Sequence, residues 1–500
     1  MKKVILPLTA IAAFALSTST FAVENNSATS TAALTSEVKE LSAETKTLQT
    51  EVTALKHKKH HYAKKTKKKV KVRTAHPVSV HQTPAQPWPH FVTVTTTPFM
   101  GKQLAYDGSD LLYNVTTINE DMHLLTQKQA LENEMTSQGY AMDRPILQMS
   151  GEVEGELSSV GGFAGPTANN ITLSTAELQM NAIASSWATG FMSMDFSGAP
   201  ISTGNREPIS TIYLGRGFVT IGNFNVTPVY FSAGLMYVPF GRYANSMVST
   251  PLTKSMGQIR TPAMLLGFKL NNGLFGSIYG FTGSQTSGAN DLIKQEGVNL
   301  GFKHAFEGTD NLSVGAGWVS NIADSQGMQN TGLGGGAATF GGFGVATATS
   351  TNNNLLAHKV DAIDGHASVG FGPVTLLGEY LGALRSFSPL DLTYNGASAT
   401  PQAVHAEIDY MLPFFAKKYG TALGVSYGHA WQALGLNLPQ DKYAVFLNTS
   451  IWRETTESIE YNHQVDYAAG ATSFGRGATA NIVGTGKGSN SVLAEIGVYF

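Results

Sequence analysis

Five basic side chains have the type and placement to meet an anion: Arg242, Lys254, Arg260, Lys269 and Lys303. The first three fall in one connection, Tyr237-Val-Pro-Phe-Gly-Arg-Tyr243 through Met247-Val-Ser-Thr-Pro-Leu-Thr253 to Gly257-Gln-Ile-Arg-Thr-Pro262. That stretch is too aromatic and too apolar for a loop surrounded by water. It either folds into a pore and narrows it or packs on a rim. Lys269 and Lys303 alternate with Leu266 and Phe268, and with Val298, Leu300 and Phe302, so each projects from the polar face of a strand. Cations so placed do electrostatic work: they attract and orient carboxylate or phosphate oxygens. Covalent catalysis is not indicated. His405 near Asp409 and His463 near Asp466 occupy alternating strand positions, with no nucleophile elbow beside them. The chain therefore does not read as an enzyme, and nothing in it calls for a cofactor. It contains no cysteine, which excludes disulfides, Cys-ligated metal and thiol nucleophiles.

The elements that must carry these residues are β-strands. From Ile146 onward the chain runs in alternating segments of roughly ten residues, the length a tilted membrane strand requires. Sixteen such segments are expected, the first at 146–158 and the last at 491–500. Tight turns such as Asn271-Asn-Gly273, Glu307-Gly-Thr-Asp310 and Gly372-Pro373 follow even-numbered segments. Long loops rich in Gly, Ser, Thr and Asn follow odd-numbered ones. Alternation of short and long connections is the habit of outer-membrane barrels, whereas a secreted array of sandwiches has no reason for it. The closing segment puts Val492, Ala494, Ile496, Val498 and Phe500 on one face. The expected fold is an all-β transmembrane barrel of about sixteen antiparallel strands in contact with outer-membrane lipid. Its parity sends Glu152, Glu154, Glu156, His405, Glu407, Asp409, Glu460, Asn462, Gln464 and Asp466 into the lumen. A charge aimed at the bilayer midplane costs a few kcal/mol, which fixes these directions. Only 14% of residues are charged, and 16 Lys+Arg against 23 Asp+Glu from residue 146 give the barrel a net charge of −7.

Ahead of the barrel lie four segments. Residues 1–22 read as a secretory signal peptide: Met1-Lys2-Lys3, an apolar run, then Thr20-Phe21-Ala22 before the expected cut. This places the remainder beyond the inner membrane, with the outer membrane for the barrel and the periplasm for the arm. Residues 23–56 hold Leu34, Val38, Leu41, Thr45, Leu48, Val52 and Leu55 at heptad spacing. Three heptads bury their stripe best by association, which implies a homo-oligomeric coiled coil; a single helix lying on another surface is the alternative. Residues 57–98 are a basic and Pro-rich linker. Export removes nucleic acid as partner of the basic run, leaving the cell wall or lipopolysaccharide. His57, His60 and His61 lack acidic partners and read as part of a solvated arm rather than a metal site. Residues 99–145 form a compact pre-barrel segment, a possible small plug. Thr117-Ile-Asn-Glu120 resembles a capping box opening a helix through Leu124, Leu125 and Leu131.

Tyr106-Asp-Gly-Ser-Asp110, Ile118-Asn-Glu-Asp121 with Leu124-Leu125, Val238-Pro-Phe-Gly241 and Pro251-Leu-Thr253 carry a family resemblance. On them the sequence resembles the LbtU-type siderophore porins of Legionella and its relatives, from signal peptide through coiled coil to barrel. The resemblance implies uptake of a ferric siderophore across the outer membrane without the large plug domain of energy-coupled receptors. An anionic polycarboxylate chelate would suit the five basic residues. A general diffusion porin for small polar solutes remains the alternative, and cell-wall anchoring by the arm is compatible with both.

Overall fold

Each segment from Ile146 onward bonds antiparallel to its sequence neighbours, and the last strand returns to the first, so no edge is left open. The computed structural model describes residues 91–93, 118–137 and 144–500, except 164, 200–208, 284, 287–293, 307–309, 330–339, 344–354, 413–419 and 453–454. The expected signal peptide, coiled coil and basic arm lie outside the described residues. The sixteen strands are Ile146–Val160 (β1), Ala168–Ile183 (β2), Ala188–Ala199 (β3), Ile209–Gly222 (β4), Val229–Tyr237 (β5) and Arg260–Lys269 (β6). Then come Leu274–Phe281 (β7), Gln295–Ala305 (β8), Asn311–Val319 (β9), Ala362–Phe371 (β10) and Val374–Ala383 (β11). Gln402–Met411 (β12), Thr421–Trp431 (β13), Asp441–Thr449 (β14), Thr455–Val465 (β15) and Gly488–Tyr499 (β16) complete the ring.

Closure is made by β16 on β1, with Glu152 opposite Tyr499 and Val160 opposite Ser491. Phe500 extends the seam: its N–H donates to the Gly151 carbonyl at 2.9 Å, and the Gly151 N–H donates to the Phe500 carbonyl at 2.6 Å. A Cβ at Gly151 would lie 2.7 Å from the Phe500 ring, so only glycine lets that ring settle there. Beyond the seam, Phe91–Thr93 pairs parallel with Leu147–Met149 and covers the edge that β16 no longer reaches. These three residues, expected to be plain linker, are therefore part of the sheet.

The alternation expected from sequence holds around the ring. Val153, Leu157, Ile408, Tyr410, Ile459, Tyr461, Val492 and Ile496 are exposed outward. Their neighbours Glu152, Glu407, Asp409 and Glu460 are buried inside. Boundaries shift by about three residues in places. β10 starts at Ala362 rather than 359, because Val360 leaves the ladder: its N–H donates to Asn321 Oδ1 at 3.1 Å. At the short-turn end, Gly273 has φ +93° and its would-be Cβ lies 2.0 Å from the Lys303 carbonyl, so this turn requires glycine. Long loops gather at the other end. There Phe340 meets Phe343 edge-to-face at a centroid spacing of 5.1 Å, and Phe343 stacks on Phe387 at 5.2 Å. Short strands Leu392–Tyr394, Ala397–Ser398, Thr472–Gly475 and Ile482–Val483 form a separate sheet beside them. By the barrel rule, short turns lie on the periplasmic side and long loops outside.

Val425, near the middle of β13 and 46% exposed, tests the outward face. Val425→Arg is expected to cost about 2–4 kcal/mol of folding free energy in lipid vesicles. Urea-dependent refolding read by tryptophan fluorescence checks this, and an unchanged midpoint would mean the residue does not face lipid.

Candidate solute passage

The connection 238–259 folds inward and lies along the inner wall of the barrel rather than on its rim. It is tied there through its own backbone. Glu379 of β11 accepts the Arg242 N–H at 2.6 Å, the Tyr243 N–H at 3.1 Å and the Thr253 hydroxyl at 2.7 Å. Glu407 of β12 accepts the Ser246 N–H at 2.7 Å, and Asp409 accepts its hydroxyl at 3.1 Å. Glu460 of β15 accepts the Ser249 N–H at 2.9 Å and also the Ser249 hydroxyl. Lys442 of β14 donates to the Thr250 carbonyl at 2.8 Å. Local sequence makes this path possible. Gly241, at φ +76°, sits so close to the Tyr243 ring that a Cβ would approach it to 2.2 Å. Pro251 then caps a short helix, Leu252–Gly257, whose Leu252 and Met256 pack into the lumen core.

The pre-barrel segment contributes a helix, Glu120–Ser137 (α1), inside the short-turn end of the barrel. It begins at Glu120, where Asn119 adopts φ +62° and its carbonyl accepts the His123 N–H at 3.1 Å. Ile118, Met122, Leu124 and Leu125 pack with Phe191, Phe218 and Tyr230 of the wall. The Lys128 ammonium donates to the Ser186 carbonyl at 2.6 Å and the Gly222 carbonyl at 3.0 Å, pinning α1 to two short turns. Arg216 of β4, only 1% exposed, bridges Glu120 at 2.7 Å and also bonds Glu177 of β2. Removing one partner from such a buried cluster typically costs about 3–5 kcal/mol.

Between α1, the in-folded loop and β6–β10 lies a cavity of ≈ 480 Å³. Arg242, Lys269 and Lys303 all line it, together with His123 and His366. Three of the five expected basic residues are thus brought together. The other two lie elsewhere. Lys254, on the short loop helix, interacts with Glu152 and Glu154 of β1. Burial lowers its ammonium to about 8, and those two carboxylates oppose the shift. Arg260 lies over the Tyr213 ring at 5.5 Å and donates to the Gly215 carbonyl at 3.3 Å, packed on the wall.

Arg216 and His123 were not singled out from sequence. The strand parity that turned Lys269 and Lys303 inward would have found Arg216, since a charge within a span must face the lumen. For His123 only its place on a buried helix gives a signal. Asp364, His366 and Glu379 bring their ligand atoms within 4.8 Å of one another. His366 Nδ1 already bonds Asp364 at 2.9 Å, and Glu379 is occupied by the loop, so a cation there would have to displace the loop's anchor.

The geometry defines a sixteen-stranded transmembrane barrel of the outer-membrane type, narrowed by one in-folded loop and one internal helix. The chain belongs to the UPF0422 family. It is 39% identical over 417 residues to a UPF0422 protein of Legionella pneumophila strain Philadelphia 1, covering 81% of this chain and 76% of that protein. It is 35% identical over 419 residues to a UPF0422 protein of Coxiella burnetii, covering 82% and 84%. No family model matches the sequence. Among solved structures, an anion-selective porin from Comamonas acidovorans superposes with TM-score 0.46 at 12% identity, over 71% of this chain and 100% of that one. The outer membrane channel DcaP of Acinetobacter baumannii gives TM-score 0.44 at 10% identity, over 72% and 99%. The fold assignment rests on the strand pairing itself.

Two outcomes follow from this geometry. Glu379→Ala strips the acceptor from two backbone N–H groups and one hydroxyl, so the loop should loosen. Single-channel records should then show larger, noisier openings than wild type; identical records would mean the loop is held by other contacts. Lys254 is charged below about pH 8 and neutral above it. Raising the pH from 7 to 9 should therefore shift reversal potentials toward cation preference, and by less in Lys254→Gln. Equal shifts in both proteins would remove Lys254 from the passage.

Proposed function

We propose that this protein is an outer-membrane porin that admits an anionic solute to the periplasm. The observation that carries this reading is the convergence of Arg242, Lys269 and Lys303 on one chamber of the narrowed lumen. Cations at a constriction concentrate anions and fix their path. The resemblance to LbtU-type siderophore porins favours a ferric siderophore of the polycarboxylate class as the solute. Among the described residues, the pre-barrel chain contributes Phe91–Thr93 and α1, which agrees with uptake past a small plug. The N-terminal heptads would join copies of the chain, and the basic run would contact the cell wall or lipopolysaccharide from the periplasmic side.

A second reading is a general diffusion porin for small polar solutes, favoured by the abundance of lumenal carboxylates. Single-channel conductance of the purified protein in planar bilayers separates the two. The siderophore reading expects stepwise conductance that ferric siderophore extract blocks and iron-free extract does not. Large conductance indifferent to both extracts would establish the general porin instead.

A further inference from the structure

We propose that the inner wall of β1 and β2 holds a divalent cation of the Ca²⁺ class through side-chain oxygens of Glu177, Gln179, Ser150 and Glu152, with Asn181 next along the strand. This goes beyond the porin reading and does not rest on it.

Glu177, Gln179 and Asn181 are alternate residues of β2, and all three project inward. Opposite them in the antiparallel register stand Glu152, Ser150 and Gln148 of β1. All six are polar, and none is more than 4% exposed. Two amide nitrogens are already spent. Gln179 Nε2 donates to Glu177 Oε1 at 2.6 Å, and Asn181 Nδ2 donates to Gln148 Oε1 at 2.7 Å. The oxygens are left over. Glu177 Oε2, Gln179 Oε1, Asn181 Oδ1 and Ser150 Oγ are each buried with no hydrogen-bond partner among the described residues. Buried polar atoms are nearly always satisfied, and one serine hydroxyl cannot serve three acceptors. Such an excess of oxygens over donors is the chemistry of a cation site.

The charge balance points the same way. Arg216 bonds Glu177 and Glu120, and Lys254 interacts with Glu152 and Glu154. Asp195 lies in the field of both Arg216 and Glu177. Five carboxylates thus share two cations, and burying that excess without a counter-charge is costly. A divalent ion offsets most of it. The Gln179 amide is held against the Glu177 carboxylate by its own hydrogen bond, so its unmet oxygen stands within the acidic cluster. Every one of these ligands is a hard oxygen, which selects Ca²⁺ or Mg²⁺ over zinc or copper. Mg²⁺ demands a near-ideal octahedron. Ca²⁺ takes roughly six to eight oxygens in looser arrangements, which a mixed set on two strands can supply with water completing the shell.

The test is calorimetric titration with CaCl₂ and, separately, MgCl₂. It uses the full chain refolded in uncharged detergent, free of lipopolysaccharide, whose phosphates bind divalent ions themselves. Wild type should bind Ca²⁺, and Mg²⁺ more weakly. Gln179→Leu removes one unmet oxygen at similar volume and should lose at least about tenfold in Ca²⁺ affinity. Gln179→Glu keeps an oxygen there and adds charge, so it should bind at least as tightly as wild type. Ca²⁺ should also raise the urea midpoint of wild type and Gln179→Glu, and leave that of Gln179→Leu unmoved. Heat-modifiable migration on gels reports whether each variant folds. A flat Ca²⁺ titration of wild type would mean that protons or water meet these oxygens, and would overturn the site. Undiminished binding by folded Gln179→Leu, equal loss in both variants, or Mg²⁺ binding as tight as Ca²⁺ would overturn it too. None of these outcomes touches the porin reading, which conductance decides.

Discussion

The bilayer permits neither an unpaired backbone group nor a charge on the outer face, and everything else in this protein follows from that restriction. Pairing β16 to β1 removes the last open edge, from Val160 opposite Ser491 to the reciprocal pair of backbone hydrogen bonds between Phe500 and Gly151. Period-two alternation then divides the residues in one step. Val153, Leu157, Ile408 and Ile459 go to lipid, while Glu152, Glu407, Asp409 and Glu460 go inside. A buried carboxylate in a narrow lumen needs donors. The in-folded loop brings them.

This explains how a barrel of net charge −7 can still gather three basic side chains on one chamber. Glu379, Glu407, Asp409 and Glu460 accept N–H or hydroxyl groups of the loop. Glu120 and Glu177 share the Arg216 guanidinium. These acids hold the inserted elements in place, so counting them as a cation-selective surface would misjudge the passage. The cations that line the chamber come from the loop and from β6 and β8; Arg242 donates to Ser313 and Lys269 to Thr126. Net charge describes the whole lumen; selectivity depends on which charges remain at the solute's path.

Much of the fold was legible because the membrane makes sequence pattern a strong constraint. Strand number, the alternation of turn and loop length, and the inward direction of Lys269, Lys303, Glu407 and Glu460 all follow from a period of two and a cost for misdirected charge. The site was legible only in part. Which residues share a lumenal chamber depends on strand stagger and on where an irregular loop runs, and neither leaves a periodic trace. Lys254 and Arg260 lie in the same connection as Arg242, yet one reaches the acids of β1 and the other packs on Tyr213. The apolar character of that connection showed that it must be covered. It did not show that Glu379 would cover its backbone.

The two inserted elements are held in different ways, and the difference follows from their secondary structure. The loop has few internal backbone bonds, so its N–H groups at 242, 243, 246 and 249 are satisfied by wall carboxylates. Losing any of these leaves a backbone donor and a carboxylate unmet together. Helix α1 satisfies its own backbone and is docked by side chains: Lys128 to two turns, Glu120 to Arg216, and apolar residues to Phe191 and Phe218. The loop therefore sets the shape of the lumen as part of the wall. The helix instead occupies it as a separate body, and the chamber that gathers Arg242, Lys269, Lys303 and His123 lies at the boundary between the two.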